Sequence, residues 1–298
     1  MRIHRTHVRQ DQVLGADEGG AMSEPSSSED VTDTGVFQSV LDGYTAVYDA
    51  LPNGETFNRI WREMAYRGEF PIEFAHIGFL TLTEAEHLRS SLGLRADSTL
   101  VDVACGAGGP GLWMARQSAT GLVGVDPVAS GLAAARRRAE AVGLSDRASF
   151  QQGTFEHTGL ADDAVDALMS IDAFQYAPDK RAAVAEFARI VRPGGKVSFV
   201  CFEVGPGKAE GVPVLGVDPV DDYRPLLEEA GFVLDVYDET PGWQDRVYGV
   251  FQALIDASDA LNAEMGERAA ASALAEAMLT VTVKPYPRRV LAVATAAF

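Results

Sequence analysis

The sequence predicts a doubly wound α/β fold, and three observations carry that expectation. From Ser98 onward, short apolar runs alternate with helical patterns, the signature of strands joined by crossover helices. The first of these runs, from Thr99, passes directly into a glycine-rich turn and a helix, TLVDVACGAGGPG, ending at Gly111. An acidic residue, Asp126, closes the next apolar run twenty residues after Gly106.

At 298 residues the chain holds one decorated domain or two modest ones, and either buries enough apolar surface to fold without staples. The formal charge of −18 repels a phosphate backbone and argues against nucleic acid as partner. No apolar run approaches the roughly 20 residues that a membrane-spanning helix needs, so no membrane partner is expected. Cys105 and Cys201 lie far apart in apolar contexts, which points away from a disulfide framework or a zinc site and toward reducing cytoplasm; no metal is expected. Arg2, Arg5 and Arg9 are not followed by the apolar stretch of a secretory signal. Frequent Arg and Ala with little Lys suggest a GC-rich bacterial gene. Oligomeric state leaves no trace in the sequence.

Residues 1–33 are polar, acidic and serine-rich, with nothing periodic to offset the entropy of ordering, and read as a disordered tail; Met22 is a candidate start. Residues 34–97 form an expected helical cap. Phe37, Val40 and Leu41, then Tyr44, Val47 and Tyr48, fall on one helix face, and Thr81 with Glu84 forms a capping-box pattern. The domain proper, 98–298, begins with a strand at Leu100–Ala104 and a helix at Leu112–Gln117. A strand at Leu122–Val125, a helix at Ser130–Val142 and strands at Ala148–Gln152 and Ala167–Ile171 follow. A helix at Lys180–Val191, a Pro193-Gly194-Gly195 turn and a strand at Lys196–Phe202 continue the alternation. After them come a helix at Asp221–Ala230 and a strand at Phe232–Tyr237. The last strand, Arg289–Thr295, is separated from it by an insertion at 241–284 whose Ala, Leu and Met period predicts a helical hairpin.

Gly106, Gly108 and Gly111 satisfy G-x-G-x-x-G, which alone suggests a dinucleotide site. A pyrophosphate is held by backbone N–H groups at the helix start, and Pro110 removes one of them. S-adenosylmethionine has no phosphate and loses little by that, while glycines still allow close approach of the backbone.

Asp102-Val-Ala-Cys-Gly106-Ala-Gly108 resembles motif I of the class I S-adenosylmethionine-dependent methyltransferases, with Ala104 in place of its first glycine. Within that family the chain is similar to the quinone-biosynthesis type and to small-molecule, natural-product methyltransferases, which share the GGP of Gly108–Pro110. The resemblance runs from about Phe79 to Glu239 plus the last strand. It implies a Rossmann-like, mostly parallel seven-stranded sheet with an antiparallel last strand, S-adenosylmethionine as cofactor, and methyl transfer to oxygen, carbon or nitrogen of a small molecule in secondary metabolism.

The same resemblance implies site residues. Asp102, Ala104, Gly106 and Gly108 form the loop under the cofactor, Asp126 grips the ribose hydroxyls and Pro127 borders the adenine. Thr154 and Phe155 stand in the adenine segment, Thr154 where the family has an aspartate. Backbone near Ser170 and Ile171 meets the methionine amino group. Tyr176 replaces a histidine that serves some relatives as base; a tyrosine near pKa 10 is a poor one, leaving an orienting role or another proton acceptor. Asp172 on the same loop is the next candidate, and His76 in FAHIGF resembles a segment that closes over the cofactor, with a structural role also open. His157 reads as solvent-facing. Tyr44, Tyr48, Trp61, Trp243, Tyr248 and Phe251 are either plain core or the lining of an apolar acceptor pocket. Two other functions stay open: a cofactor-binding fold repurposed as a cyclase or silent scaffold, and a nucleotide-dependent oxidoreductase, which Pro110 disfavours.

Overall fold

A computed structural model describes residues 29–297 except 210, 211, 213, 214 and 216; the side chains of 29–34 are likewise outside the description. Seven strands form one sheet in the order β3-β2-β1-β4-β5-β7-β6. They are β1 (Thr99–Val103), β2 (Gly121–Asp126), β3 (Ala148–Gln152), β4 (Val165–Ile171), β5 (Val191–Glu203), β6 (Phe232–Glu239) and β7 (Arg288–Ala296). The first five pair in parallel, whereas β7 runs antiparallel to both β5 and β6, as the sequence implied. Because β1 sits between β2 and β4, the chain reverses its direction of travel across the sheet there. That reversal opens a crevice at the carboxyl ends of those strands, the usual ligand position in such a sheet.

Helices cover both faces: α1 (Glu29–Ala50), α2 (Glu55–Ile60), α3 (Leu82–Leu92), α4 (Gly109–Ser118), α5 (Ala129–Ala141), α6 (Lys180–Ile190), α7 (Pro206–Ala209) and α8 (Arg224–Glu229). On one face Phe174, Phe187, Phe199 and Tyr223 pack ring against ring, with centroids 5.2–5.4 Å apart. On the other, Phe79 and Phe202 join the sheet core to the cap and to the inserted helices.

Three local features fix the crevice. Pro110 occupies the first turn of α4, where a missing N–H costs nothing. Gly108 at φ +74° is the N-cap of that helix, and Gly106 has φ +51°. Ala104, where the motif carries glycine, is held at φ +61°; its methyl group makes that left-handed backbone a strained one. Gly111 has no room for a side chain, since a Cβ would lie 2.6 Å from the Asp102 carboxylate.

The expected capping box is present: Glu84 N–H donates to Thr81 Oγ1 at 3.2 Å, and Thr81 N–H donates to Glu84 Oε2 at 3.0 Å. Two boundaries differ from expectation. Helix α1 begins at Glu29, inside the stretch read as a tail; the rest of that tail, with Met22, lies outside the described residues. The insertion is three helices rather than a hairpin, α9 (Trp243–Asp256), α10 (Ser258–Met265) and α11 (Glu267–Val283). A break at Ala257 and an extended Gly266 (φ +80°, ψ +159°) interrupt a pattern that stays helical in period throughout. Helix α11 presents Ala269, Ala270, Ala273 and Ala277 to the interior, and these small residues let it lie close along α1. At Gly43 of α1, a Cβ would sit 3.5 Å from Ser272 Oγ.

Candidate active site

The crevice is lined by the ends of β1, β2 and β4, by the glycine loop and by α1 lying across it. Asp126 ends β2 and is buried. Its Oδ2 accepts from Gly106 N–H at 2.7 Å and its Oδ1 from Val128 N–H at 2.8 Å. Each oxygen keeps a second lone pair, so the carboxylate is aimed and still able to accept from a pair of ligand hydroxyls. Burial pushes its pKa up to about 6, against the pull of the Val128 and Gly106 N–H groups. Asp102 lies deeper at the end of β1; burial and then the Asp126 charge raise its pKa, while Gly111 N–H lowers it.

Pro127, Gly153, Thr154 and Phe155 form one wall, and Ala104, Cys105, Ala107, Gly109 and Pro110 the floor. Thr154 lines the crevice, with Oγ1 accepting from His157 N–H at 3.2 Å. Ile171 also lines it, whereas Ser170 is fully buried behind it. Gly108 faces Ala135 and Phe150 rather than the crevice, and contributes through its backbone conformation. Gly106 lies beneath Tyr48 of α1, whose hydroxyl would collide with a Cβ there. Cys105 and Cys201 are buried and unbridged, and burial raises the pKa of each.

His76 lies between Tyr66 and Phe70, centroids 4.7 and 4.9 Å away, the first tilted and the second edge-on, and its Nδ1 accepts from Gly78 N–H at 3.1 Å. Trp61 Nε1 is buried without a partner among the described residues, and both Trp61 and His76 line the crevice. Burial, then Arg138 and Arg289, lower the imidazole pKa from 6.5 to about 3. Between those values the unfolded chain binds a proton that the folded chain refuses, so stability falls as pH falls below 6.5. We expect this residue to contribute up to about 1.4 kcal/mol per pH unit to that slope. His76→Asn should flatten it in urea titrations followed between pH 6.5 and 4, and an unchanged slope would count against a buried neutral ring.

Asp172 also lines the crevice. Its carboxylate receives Arg289 Nε at 2.7 Å on Oδ1, and Arg289 Nη2 at 3.1 Å plus Phe79 N–H at 2.7 Å on Oδ2. Both carboxylate oxygens are thus engaged, in an ion pair that anchors β7 to the β4 loop.

Tyr176 borders the crevice and also a second, larger cavity of about 660 Å³. Tyr44, Trp61, Ile77 and Asp172 are shared in the same way. The larger cavity is lined mainly by apolar side chains of α1, α9 and α11 with Phe79 and Phe202. Trp243 is core, its Nε1 donating to Glu239 at 2.9 Å, while Phe251 lines the cavity wall. His157 is exposed.

Two residues escaped the sequence reading. Arg138 projects from α5 into the crevice, donating to Ala107 O at 2.6 Å, yet in the run Arg136-Arg137-Arg138 it looks like a solvated helix face. Glu276 lines the larger cavity and accepts from the Tyr176 hydroxyl at 2.9 Å. Nothing in an alanine-rich helix distinguishes it from a surface charge. Among the described residues no group of His, Cys, Asp and Glu is disposed to hold a metal, and no helix is long and apolar enough to cross a membrane.

The residues suit S-adenosylmethionine. A buried acceptor pair at Asp126 and the Arg138 side chain line one crevice, with Gly106 bare of a side chain beneath Tyr48, beside an apolar wall of Pro127 and Phe155. Residues 101–199 match the family described as a methyltransferase domain. Methyltransferase GfsG of Streptomyces halstedii is 30% identical over 185 residues, 57% of this chain and 66% of that protein. The 27-O-demethylrifamycin SV methyltransferase of Amycolatopsis mediterranei strain S699 is 26% identical over 200 residues, 63% of this chain and 71% of that protein. The match thus spans about two thirds of each relative's length. Among solved structures, the cyclase SpnF superposes with a TM-score of 0.61 at 20% identity, over 71% of this chain and 78% of that one, a likeness of fold.

Proposed function

Given that this chain belongs to the class I S-adenosylmethionine-dependent methyltransferases and serves small-molecule methylation, we propose that its acceptor is a bulky, largely apolar natural product that fills the cavity between α1, α9 and α11. The observation that carries this reading is the cavity itself. Its volume, about 660 Å³, falls in the range of small-molecule sites, and it shares Tyr44 and Tyr176 with the cofactor crevice.

The bound cofactor supplies an electrophilic methyl group on a sulfonium. The protein's own work is to hold two reactants in line in a water-poor space, which accounts for much of the rate gain in such displacements. Asp126, with Gly106 and Val128 behind it, holds the sugar. Arg138 faces the same crevice and suits the carboxylate of the amino-acid end. Helix α1 covers both, so that water is excluded once it is seated. Kinship with an enzyme named 27-O-demethylrifamycin SV methyltransferase supports a natural-product acceptor.

Incubation with S-adenosylmethionine and a panel of hydroxylated macrolactones, ansamycins and sterols, followed by mass spectrometry, should give a product heavier by one methylene for at least one apolar member. Small polar acceptors such as glycine should give none. Turnover confined to the polar acceptors would overturn the apolar reading. Retention of intact cofactor while an acceptor cyclises would favour the repurposed-fold alternative instead.

A further inference from the structure

An acceptor in the large cavity meets one carboxyl group that no cation holds. Glu276 lies on the cavity side of α11, and the hydrogen bond it receives from Tyr176 is its sole polar partner among the described residues. No ion pair is formed by it there, in contrast to Glu84, Asp172 and Glu186. An unpaired carboxyl in a largely apolar cavity costs stability, so its presence calls for another reason. The hydroxyl that binds it belongs to the side chain that borders both the cofactor crevice and the acceptor cavity. Tyr44 approaches the same tyrosine edge-on at 6.5 Å, and Tyr286 lines the same cavity. Tyr176 is thus a single hydroxyl link between the crevice and a carboxyl group.

We propose that Glu276 is the terminal proton acceptor of the reaction, reached through the Tyr176 hydroxyl, and that the group methylated is an un-ionised alcohol on an apolar skeleton. This rests on the reading above that the acceptor occupies this cavity. The acceptor oxygen forms a bond to the methyl carbon as the carbon–sulfur bond breaks and leaves its electron pair on sulfur. The acceptor's proton passes to the Tyr176 oxygen while the proton of Tyr176 passes to Glu276 Oε1. The positive charge that began on sulfur ends as the neutralisation of Glu276, which returns its proton to water when the cavity opens.

The rival bases are less suited. Asp172 is committed to Arg289 and Phe79. His76 borders the cofactor crevice but not the acceptor cavity, and its pKa near 3 makes it a weak base. Burial raises the pKa of Tyr176, and Glu276 raises it further, so the phenol passes a proton on rather than resting ionised. Burial likewise raises the Glu276 carboxyl above its ordinary range, with the Tyr176 bond opposing it, which brings a carboxylate nearer the basicity that proton removal needs.

The test uses E276Q and Y176F in the full chain, with 2-naphthol and 2-naphthalenethiol as probes at mildly alkaline pH, where the thiol is already ionised and needs no base. For each variant we expect naphthol kcat to fall by about 100-fold or more, thiol kcat to change by less than about threefold, and KM to stay unchanged. Affinity for S-adenosylhomocysteine, measured by calorimetry, should be that of the parent, which also certifies the fold. Parent-like naphthol turnover in E276Q, or equal losses with both probes, would overturn the relay. If the unmodified protein methylates the thiol alone, the alcohol assignment is wrong, and if it methylates neither probe, the apolar-acceptor reading falls with it. Failure to bind S-adenosylhomocysteine at all would instead overturn the cofactor site.

Discussion

Replacing Arg289 by methionine should lower the stability of the folded chain by about 3–5 kcal/mol, the loss expected when one partner is removed from a buried ion pair. Arg289 is fully buried on β7, and its guanidinium joins three distant parts of the chain. Nε and Nη2 hold the two oxygens of Asp172, while Nη1 donates to Glu84 Oε1 and Thr240 Oγ1, each at 3.0 Å. Glu84 keeps Arg246 at 2.7 Å after the change, but Asp172 keeps only the Phe79 N–H. The penalty therefore arises from a stranded anion more than from a lost attraction. Adding Asp172→Asn should recover part of the loss, because a neutral amide is cheaper to bury. Urea unfolding of the two single variants and the double variant measures this coupling, and a loss below about 1 kcal/mol for Arg289→Met would show that the pair is solvated in practice.

Asp126→Asn should weaken binding of S-adenosylhomocysteine by at least about 100-fold, or about 2.7 kcal/mol, since bonds to a charged acceptor contribute about 1.5–3 kcal/mol each. The isosteric amide retains a single acceptor oxygen. It cannot receive Gly106 N–H and Val128 N–H together, and its NH2 points a donor at one of them. Both the loop geometry and the ligand contact suffer from one atom. Titration calorimetry measures the affinity, and thermal unfolding of the unliganded protein separates it from collapse of the loop. An affinity within threefold of the parent would remove Asp126 from the cofactor site.

What the sequence disclosed was local. The strand, turn and helix around Gly106 to Gly111 and the position of Asp126 depend on neighbours within some twenty residues, so motif spacing reveals them. Ala104 in a left-handed conformation is intelligible from the motif it departs from. The Arg289 cluster was invisible because its partners lie 117 and 205 positions away, and no period or composition links them. The same distance hid the meeting of Tyr176 with Glu276, 100 positions apart. The insertion was misread as a hairpin because Ala257 carries no breaker residue, and Gly266 alone signalled the second stop.

Helix α1 finds its seat on α5 and on α11, which ends at Val283. During translation the earliest of the described helices therefore emerges long before the second of its docking partners exists. The sheet, its glycine turn and α5 can assemble first, while the side of α1 at Gly43 that meets Ser272 of α11 waits for its partner. The roof of the reaction chamber thus gains its second seat last, so a ribosome-bound chain halted before residue 267 should hold α1 against α5 alone, with its other side open to water.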